Sequence, residues 1–236
     1  MKQNRNRIVH TMTGLGTVLL ALLLRLNLVA VDEKNLLRSA HPLSWAVWAV
    51  AAVCVVLALL TARKTREGKT LSLSDPICAF GHGIFALMLV IGVYAMGPAV
   101  SVVEKLCMVM GWLSAVCLGY GAFCHATGKR VFFGCYCVVC VFFALYLVGR
   151  YQVWSSNPQL LDYVFAMLSC VMLTLFAYQN AALCVGIGSR RMWLATGLLA
   201  VSFGFAAIYS WNHMLLHLGG AVWAMTTLLG RASGKR

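Results

Sequence analysis

The sequence predicts an all-α membrane protein, a polytopic bundle of about eight transmembrane helices with both chain ends on the cytoplasmic side. Three observations predict this fold class. Only 11% of the 236 residues are charged and 61% are hydrophobic, whereas soluble domains carry about 25% charged residues. The apolar residues form runs long enough to cross a bilayer, and lysine and arginine are concentrated in every second loop. We therefore expect the lipid bilayer to be the solvent of this chain.

The apolar runs define the predicted elements in order. A transmembrane helix needs roughly 17–25 residues, and runs of that size lie at about 8–30, 43–62, 77–97, 105–126, 131–149, 160–188, 192–210 and 213–230. The prolines lie just outside these runs, where a missing amide N–H costs little: Pro42, Pro76, Pro98 and Pro158. Ser74 and Asp75 before Pro76 are typical of a capped helix start. Residues 1–236 are predicted to form one transmembrane domain.

Lysine and arginine set the predicted orientation. One set of alternate loops and termini holds fourteen of them, namely Lys2, Arg5, Arg7, Arg63, Lys64, Arg66, Lys69, Lys129, Arg130, Arg190, Arg191, Arg231, Lys235 and Arg236. The other set of loops holds four, namely Lys34, Arg38, Lys105 and Arg150. Since basic loops stay on the cytoplasmic side, we expect both chain ends to be cytoplasmic and the number of spans to be even.

The net charge of +13 would suggest nucleic-acid binding in a soluble protein. Here the basic residues lie in short clusters between apolar runs, as expected for loops at an anionic inner leaflet, so no nucleic-acid partner is predicted. The ten cysteines all lie inside apolar runs. An extracellular disulfide framework would place them in loops, so most are interpreted as small hydrophobic side chains packed between helices.

Catalytic and cofactor motifs are missing from the sequence. It contains no G-x-S-x-G, no H-E-x-x-H and no P-loop. Proton-coupled carriers and intramembrane hydrolases usually need deep carboxylates or a metal-binding pair. The acidic residues of the spans lie near the predicted outer surface instead: Asp32, Glu33, Glu104 and Asp162. These features argue against an enzyme, and no cofactor is predicted.

Thiols and imidazoles gather at the predicted cytoplasmic level of the third, fourth and fifth spans. The candidate metal ligands are Cys78, His82, Cys124, His125 and Cys135. Cys78 and His82 are four residues apart and share a helix face, and thiolate with imidazole is the ligand set of zinc or copper. Haem held between histidines of facing helices is a related hypothesis. The alternative is packed thiols and interfacial histidines, which the absence of zinc-ribbon spacing favours.

The sixth span carries a stripe of small and polar residues. On a helical wheel the stripe comprises Asp162, Ala166, Ser169, Ala177, Asn180 and Cys184, and the opposite face comprises Val164, Leu168, Val171 and Leu175. Small and polar residues favour contact with protein or water, and branched aliphatic residues favour lipid. We predict that Asn180 points into the bundle. Gln179, about 100° away on the helix, should reach a neighbouring helix or a water-filled pocket.

This stripe supplies the candidate ligand-binding residues. If the bundle contains a pocket, we expect Ser169 and Asn180 to line it, with Gln179 beside them and Tyr178 at its rim. The alternative is an interhelical hydrogen bond, worth about 0.6 kcal/mol on average, with no cavity. A dry, closely packed stripe would favour a protein that binds a protein partner over one that binds a small molecule.

The segment LDYVFAMLSCVMLTLFAYQNAALCVGIGSRRMW, over roughly 160–193, resembles short multi-pass membrane proteins of unknown function from Gram-positive gut bacteria. The resemblance implies a bacterial plasma membrane and no particular activity. Three functions are left open by the sequence. The first is small-molecule binding or transport within the bundle. The second is a sensory or accessory subunit that binds another membrane protein, and the third is metal or haem handling.

Overall fold

The computed structural model is an all-α helical bundle, which confirms the predicted fold class. It describes residues 2–30, 42–65, 75–97, 101–154, 160–209 and 214–230, and side chains over 6–29, 42–65, 75–97, 101–151, 163–209 and 214–230. Eight α-helices and no strands occur within these ranges. The helices are α1 (Lys2–Ala30), α2 (Pro42–Lys64), α3 (Pro76–Ala95), α4 (Val102–Thr127), α5 (Phe133–Trp154), α6 (Leu160–Val185), α7 (Arg190–Ala206) and α8 (Met214–Gly230).

Each predicted span coincides with one helix, and seven of the helices are long and apolar enough to cross a membrane. The last helix, α8, has 17 residues, which at 1.5 Å per residue is a length of about 25 Å. The predicted first residue of that span, His213, lies outside the described residues. Helix α6 ends at Val185, before the predicted end at 188, because Gly186 adopts a φ of 84°. A residue in this left-handed conformation commonly ends an α-helix.

Helices α7 and α8 occupy the middle of the bundle. Helix α7 packs against α1, α2, α6 and α8, while α8 also packs against α3. In the most apolar stretch of α7, 78% of the residues are buried, against 22% in α2, although α2 has the higher mean hydropathy of 2.5 against 1.7. The more hydrophobic helix therefore lies outside, as expected where lipid rather than water surrounds the protein.

Small residues allow the central helices to approach closely. A Cβ atom at Gly81 of α3 would lie 1.7 Å from Oγ1 of Thr226 in α8. A Cβ atom at Gly204 of α7 would lie 2.8 Å from the Cβ of Ala221 in α8. Close backbone approach at small residues is the usual way in which membrane helices gain packing contacts. The position of α8 between α3 and α7 thus depends on residues without bulky side chains.

The two ends of the bundle bring different residues together. At one end, called the Asp75 end, the backbone N–H of Asp75 donates to the carbonyl of His125 at 3.3 Å, and Gly230 packs beside the Asp75 carboxylate. The beginning of α3 and the ends of α4 and α8 therefore meet there. Asp75 Oδ1 accepts a hydrogen bond from the Ile77 N–H at 2.9 Å, which confirms the predicted cap. The opposite end, called the Arg150 end, contains the end of α5 and the beginning of α4.

Candidate functional site

Four side chains from four helices form a buried polar cluster near the Asp75 end. This imidazole cluster consists of His82 of α3, His125 of α4, Tyr136 of α5 and Trp223 of α8. All four are between 0% and 4% exposed. The Tyr136 hydroxyl lies 3.1 Å from His82 Nε2 and 3.4 Å from His125 Nε2. The Trp223 indole N–H donates to His82 Nε2 at 3.1 Å.

These contacts determine the tautomer of His82. The indole N–H of Trp223 can only donate a hydrogen bond, so Nε2 of His82 must accept it and carries no proton. His82 Nδ1 lies 2.7 Å from the backbone carbonyl of Cys78, which can only accept. His82 is therefore a neutral imidazole with its proton on Nδ1. The Tyr136 hydroxyl can rotate, so it is able to donate to either histidine or to accept from His125.

The absence of a side chain at Gly121 leaves room for this cluster. A Cβ atom at Gly121 of α4 would lie 3.1 Å from the ring of His82, so a larger residue there would press on the imidazole. The rings of His82 and His125 are in contact, with centroids 4.8 Å apart at an angle of 47°. A haem iron binds axial histidines on opposite faces of the porphyrin. These two rings are too close for a porphyrin between them, so this pair does not fit the haem hypothesis.

The candidate metal ligands come to the same region without forming a coordination group. Cys78 Sγ lies 3.9 Å from the carbonyl oxygens of Thr226 and of Thr227, and His82 is held by Cys78 O and Trp223. Cys124 is buried and Cys135 is half-buried. Across the described part of the chain, no three His, Cys, Asp or Glu side chains are placed to hold one metal ion. The metal site stays a prediction, which metal analysis of the purified protein would test.

The stripe of α6 faces the bundle interior, as predicted. Ala166, Ser169, Ala177 and Asn180 are buried, and Cys184 is exposed; the side chain of Asp162 lies outside the described residues. Asn180 Oδ1 accepts a hydrogen bond from the indole N–H of Trp193 in α7 at 3.2 Å, and its Nδ2 donates to the Phe176 carbonyl at 2.8 Å. The prediction that Asn180 points inward is confirmed, and its partner is a neighbouring helix.

The other three candidate ligand-binding residues lie in different surroundings. Ser169 Oγ is 3.1 Å from Nδ1 of His217 in α8, so it is engaged within the protein. Tyr178 is exposed on the outer face of α6. Gln179 is half-buried, and its Oε1 accepts no hydrogen bond from the residues that the structure describes. Ligand binding by Ser169, Tyr178, Gln179 and Asn180 stays a prediction.

A cavity lies elsewhere, between α3, α4 and α5 at the Arg150 end. It has a volume of about 130 Å³. Its polar lining includes Glu104, Tyr146 and Arg150, and its apolar lining includes Met96, Met108 and Leu145. Glu104 is held by the capping box of α4, in which its Oε2 accepts from the Ser101 N–H at 3.0 Å. The carboxylate is thus fixed at the rim by the helix start itself.

Polar side chains continue from this cavity into the core. The Arg150 guanidinium carbon lies 5.5 Å from the centroid of the Tyr146 ring. The Tyr146 ring meets His217 edge to face, with centroids 6.5 Å apart, and His217 contacts Ser169. Aromatic side chains lie between this series and the imidazole cluster. Phe142 contacts Tyr146 on one side and Phe143 on the other. Phe85 then stacks on Phe143 at 6.0 Å and on Trp223 at 5.6 Å. An apolar layer therefore separates the two polar regions.

Sequence reasoning did not single out the aromatic members of these clusters, Tyr136, Tyr146 and Trp223. Tryptophan in a membrane protein is commonly interfacial, and tyrosine within an apolar run is commonly interpreted as core. One signal was present, because Trp223 lies seven residues before the end of α8, too deep for an interfacial position. A buried indole N–H usually has a hydrogen-bond partner, which here is His82.

No protein-family model, no curated protein and no solved structure matches the chain.

Proposed function

We propose that this multi-pass membrane protein binds a small polar molecule in the cavity between α3, α4 and α5. The observation that carries the proposal is the composition of that cavity, in which the guanidinium of Arg150 and the carboxylate of Glu104 are set among apolar side chains. Pockets for small molecules are typically apolar concavities with a few convergent polar groups that orient the ligand.

The dimensions and charges restrict the ligand class. A cavity of about 150 Å³ accommodates benzene, so the present volume of about 130 Å³ suits a molecule of similar size or the head group of a larger one. Arg150 offers hydrogen-bond donors and Glu104 offers acceptors. Met96, Met108 and Leu145 provide an adaptable apolar wall. A small zwitterionic or carboxylate-bearing molecule meets these requirements.

The interior of the bundle supports an extension of this proposal from binding to transport. Carriers bind substrates between helices and open alternately to either side. The series Tyr146, His217 and Ser169 leads from the cavity towards the centre, and the aromatic rings of Phe85 and Phe143 lie between this series and the imidazole cluster. The resemblance over 160–193 supports a bacterial plasma membrane as the location of the protein. The alternating charge of the loops supports an orientation with the Arg150 end outside.

Binding is tested by thermal unfolding of the purified protein in nanodiscs with glycine, glycine betaine, acetate and phosphate as probes. We expect at least one carboxylate-bearing probe to raise the melting temperature in a saturable manner. Arg150→Gln should abolish that rise, because it removes the cation while keeping most of the side chain. Lys105→Gln is the matched control, since Lys105 is exposed and does not line the cavity. A rise that is equal in both variants would contradict the proposal.

Partner binding is a second candidate, favoured by α6. The Ser169–Asn180 stripe is buried and engaged in hydrogen bonds, while Tyr178 is exposed on the outside of the same helix. Polar groups at such a position are better satisfied against protein than against lipid. A photocrosslinking residue at position 178 should capture one defined protein in cells. The same residue in place of exposed Val56 of α2 is the control and should capture none.

A further inference from the structure

Asp75 is a buried carboxylate, and one of its oxygens is unsatisfied by the residues that the structure describes. The residue is 2% exposed. Its Oδ1 accepts from the Ile77 N–H, as an N-cap residue does. Its Oδ2 is shielded from solvent and has no hydrogen-bond partner within the described part of the chain. An ionised carboxylate that is buried without a partner is strongly unfavourable, so a cation bound at Oδ2 would stabilise it.

A second unsatisfied oxygen lies in the helix that packs beside Asp75. Thr227 of α8 is 0% exposed, and its Oγ1 has no hydrogen-bond partner among the residues described. The two helices touch here, because a Cβ atom at Gly230 would lie 2.9 Å from Asp75 Oδ1 and 2.7 Å from Cys78 Sγ. Cys78 in turn approaches the carbonyl oxygen of Thr227 at 3.9 Å.

The ends of two further helices make this position electronegative. Helix α4 ends at Thr127, and α8 extends to Gly230 at the limit of the described residues. The carbonyl of His125 accepts from the Asp75 N–H and that of Cys124 from the Lys129 N–H, and each oxygen keeps a second lone pair. Helix C-termini carry partial negative charge, and carbonyls at such ends coordinate cations in membrane carriers. The N-terminus of α3 carries partial positive charge, which partly opposes this effect. Among the described residues, the titratable neighbours of Asp75 are Cys78 and His125, and neither is a carboxylate.

We propose that Asp75 Oδ2, Thr227 Oγ1 and carbonyl oxygens at the end of α8 bind a monovalent alkali cation at the Asp75 end. Carboxylate, hydroxyl and carbonyl oxygens are the ligands that hard cations prefer. A single carboxylate balances one positive charge, whereas calcium sites usually recruit several carboxylates. The site is separate from the cavity at the Arg150 end and does not depend on the function proposed for it.

The test is thermal unfolding of the full chain in nanodiscs of neutral lipid, with choline chloride replaced by NaCl or KCl at constant ionic strength. We expect one or both alkali cations to raise the melting temperature in a saturable manner. Asp75→Asn keeps a good N-cap residue and should abolish the effect. Thr227→Val should weaken the apparent affinity at least tenfold. Thr226→Val is the matched control, because the Thr226 hydroxyl already donates to the Val222 carbonyl at 2.8 Å.

The outcomes distinguish a bound alkali cation from a bound proton and from an empty site. Equal stability in choline, sodium and potassium would overturn the proposal, as would an alkali effect that persists in Asp75→Asn. Stabilisation by acid alone, lost in Asp75→Asn, would assign a proton to Oδ2 and would also overturn it. If Asp75→Asn does not fold, equilibrium dialysis of wild type, Thr227→Val and Thr226→Val with radioactive sodium decides. Sodium binding that is equal in all three would contradict the site.

Discussion

Trp223 donates its indole N–H to Nε2 of His82 at 3.1 Å, across the contact between α8 and α3. The bond joins the centre of the bundle to the imidazole cluster and fixes the protonated nitrogen of His82. In a bilayer neither group would find water as a substitute partner. The pair therefore links α8 to α3 and fixes the tautomer of the histidine.

We expect Trp223 and His82 to be energetically coupled. A double-mutant cycle with Trp223→Phe and His82→Leu should give an interaction free energy of about 0.6–1.7 kcal/mol, between the mean and the maximum found for hydrogen bonds between membrane helices. Equilibrium unfolding in detergent measures each variant. Trp45→Phe, at a position that is 75% exposed, combined with His82→Leu is the control cycle and should give a value near zero. Comparable coupling in the two cycles would refute the prediction.

Gly81 should not tolerate a larger residue. A Cβ at this position would lie 1.7 Å from Thr226 Oγ1, so Gly81→Ala must displace α3 from α8. Overpacking of this kind typically costs about 1–3 kcal/mol. At Gly119 of α4 no atom lies within 4 Å of the corresponding Cβ, and Gly119→Ala should be neutral or stabilising because alanine favours helix. Comparison of the two unfolding free energies checks the prediction, which fails if Gly81→Ala is as stable as Gly119→Ala.

The hydrogen bond between Asn180 and Trp193 should contribute to stability. Asn180→Leu leaves the Trp193 indole N–H without this acceptor at 3.2 Å, which we expect to lower the free energy of unfolding by about 1–3 kcal/mol. Cys184→Leu, one turn along the same helix but exposed, is the control and should change it by less than about 0.5 kcal/mol. An Asn180→Leu protein as stable as wild type would show that the bond contributes nothing.

Orientation can be measured with membrane-impermeant thiol reagents on single-cysteine variants in a background whose native thiols are replaced. Positions 66 and 190 should react only from the cytoplasm, and positions 36 and 155 only from outside, because lysine and arginine favour cytoplasmic loops. Three of these positions, 66, 36 and 155, lie outside the described residues. Cytoplasmic labelling at position 155 would show that the predicted eight-span topology is wrong.

The sequence by itself determined the helices and their approximate ends. In a bilayer every backbone N–H and C=O must be satisfied within its own segment, so apolar runs of sufficient length become helices wherever they occur. Asp75 could be assigned as a cap because capping is a local interaction between neighbouring residues. Asn180 could be assigned to the interior because an unpaired amide in hydrocarbon is costly.

Only the tertiary structure decided which helices are central and which polar groups meet. Hydropathy does not distinguish a lipid-facing leucine from a buried one, since both environments are apolar, and α2, the more hydrophobic helix, lies outside α7. Tyr136 and Trp223 come from different parts of the chain to His82, and Gly230 comes to Asp75. These contacts join helices that are distant in sequence. The local pattern of residues does not predict which of these helices will pack together.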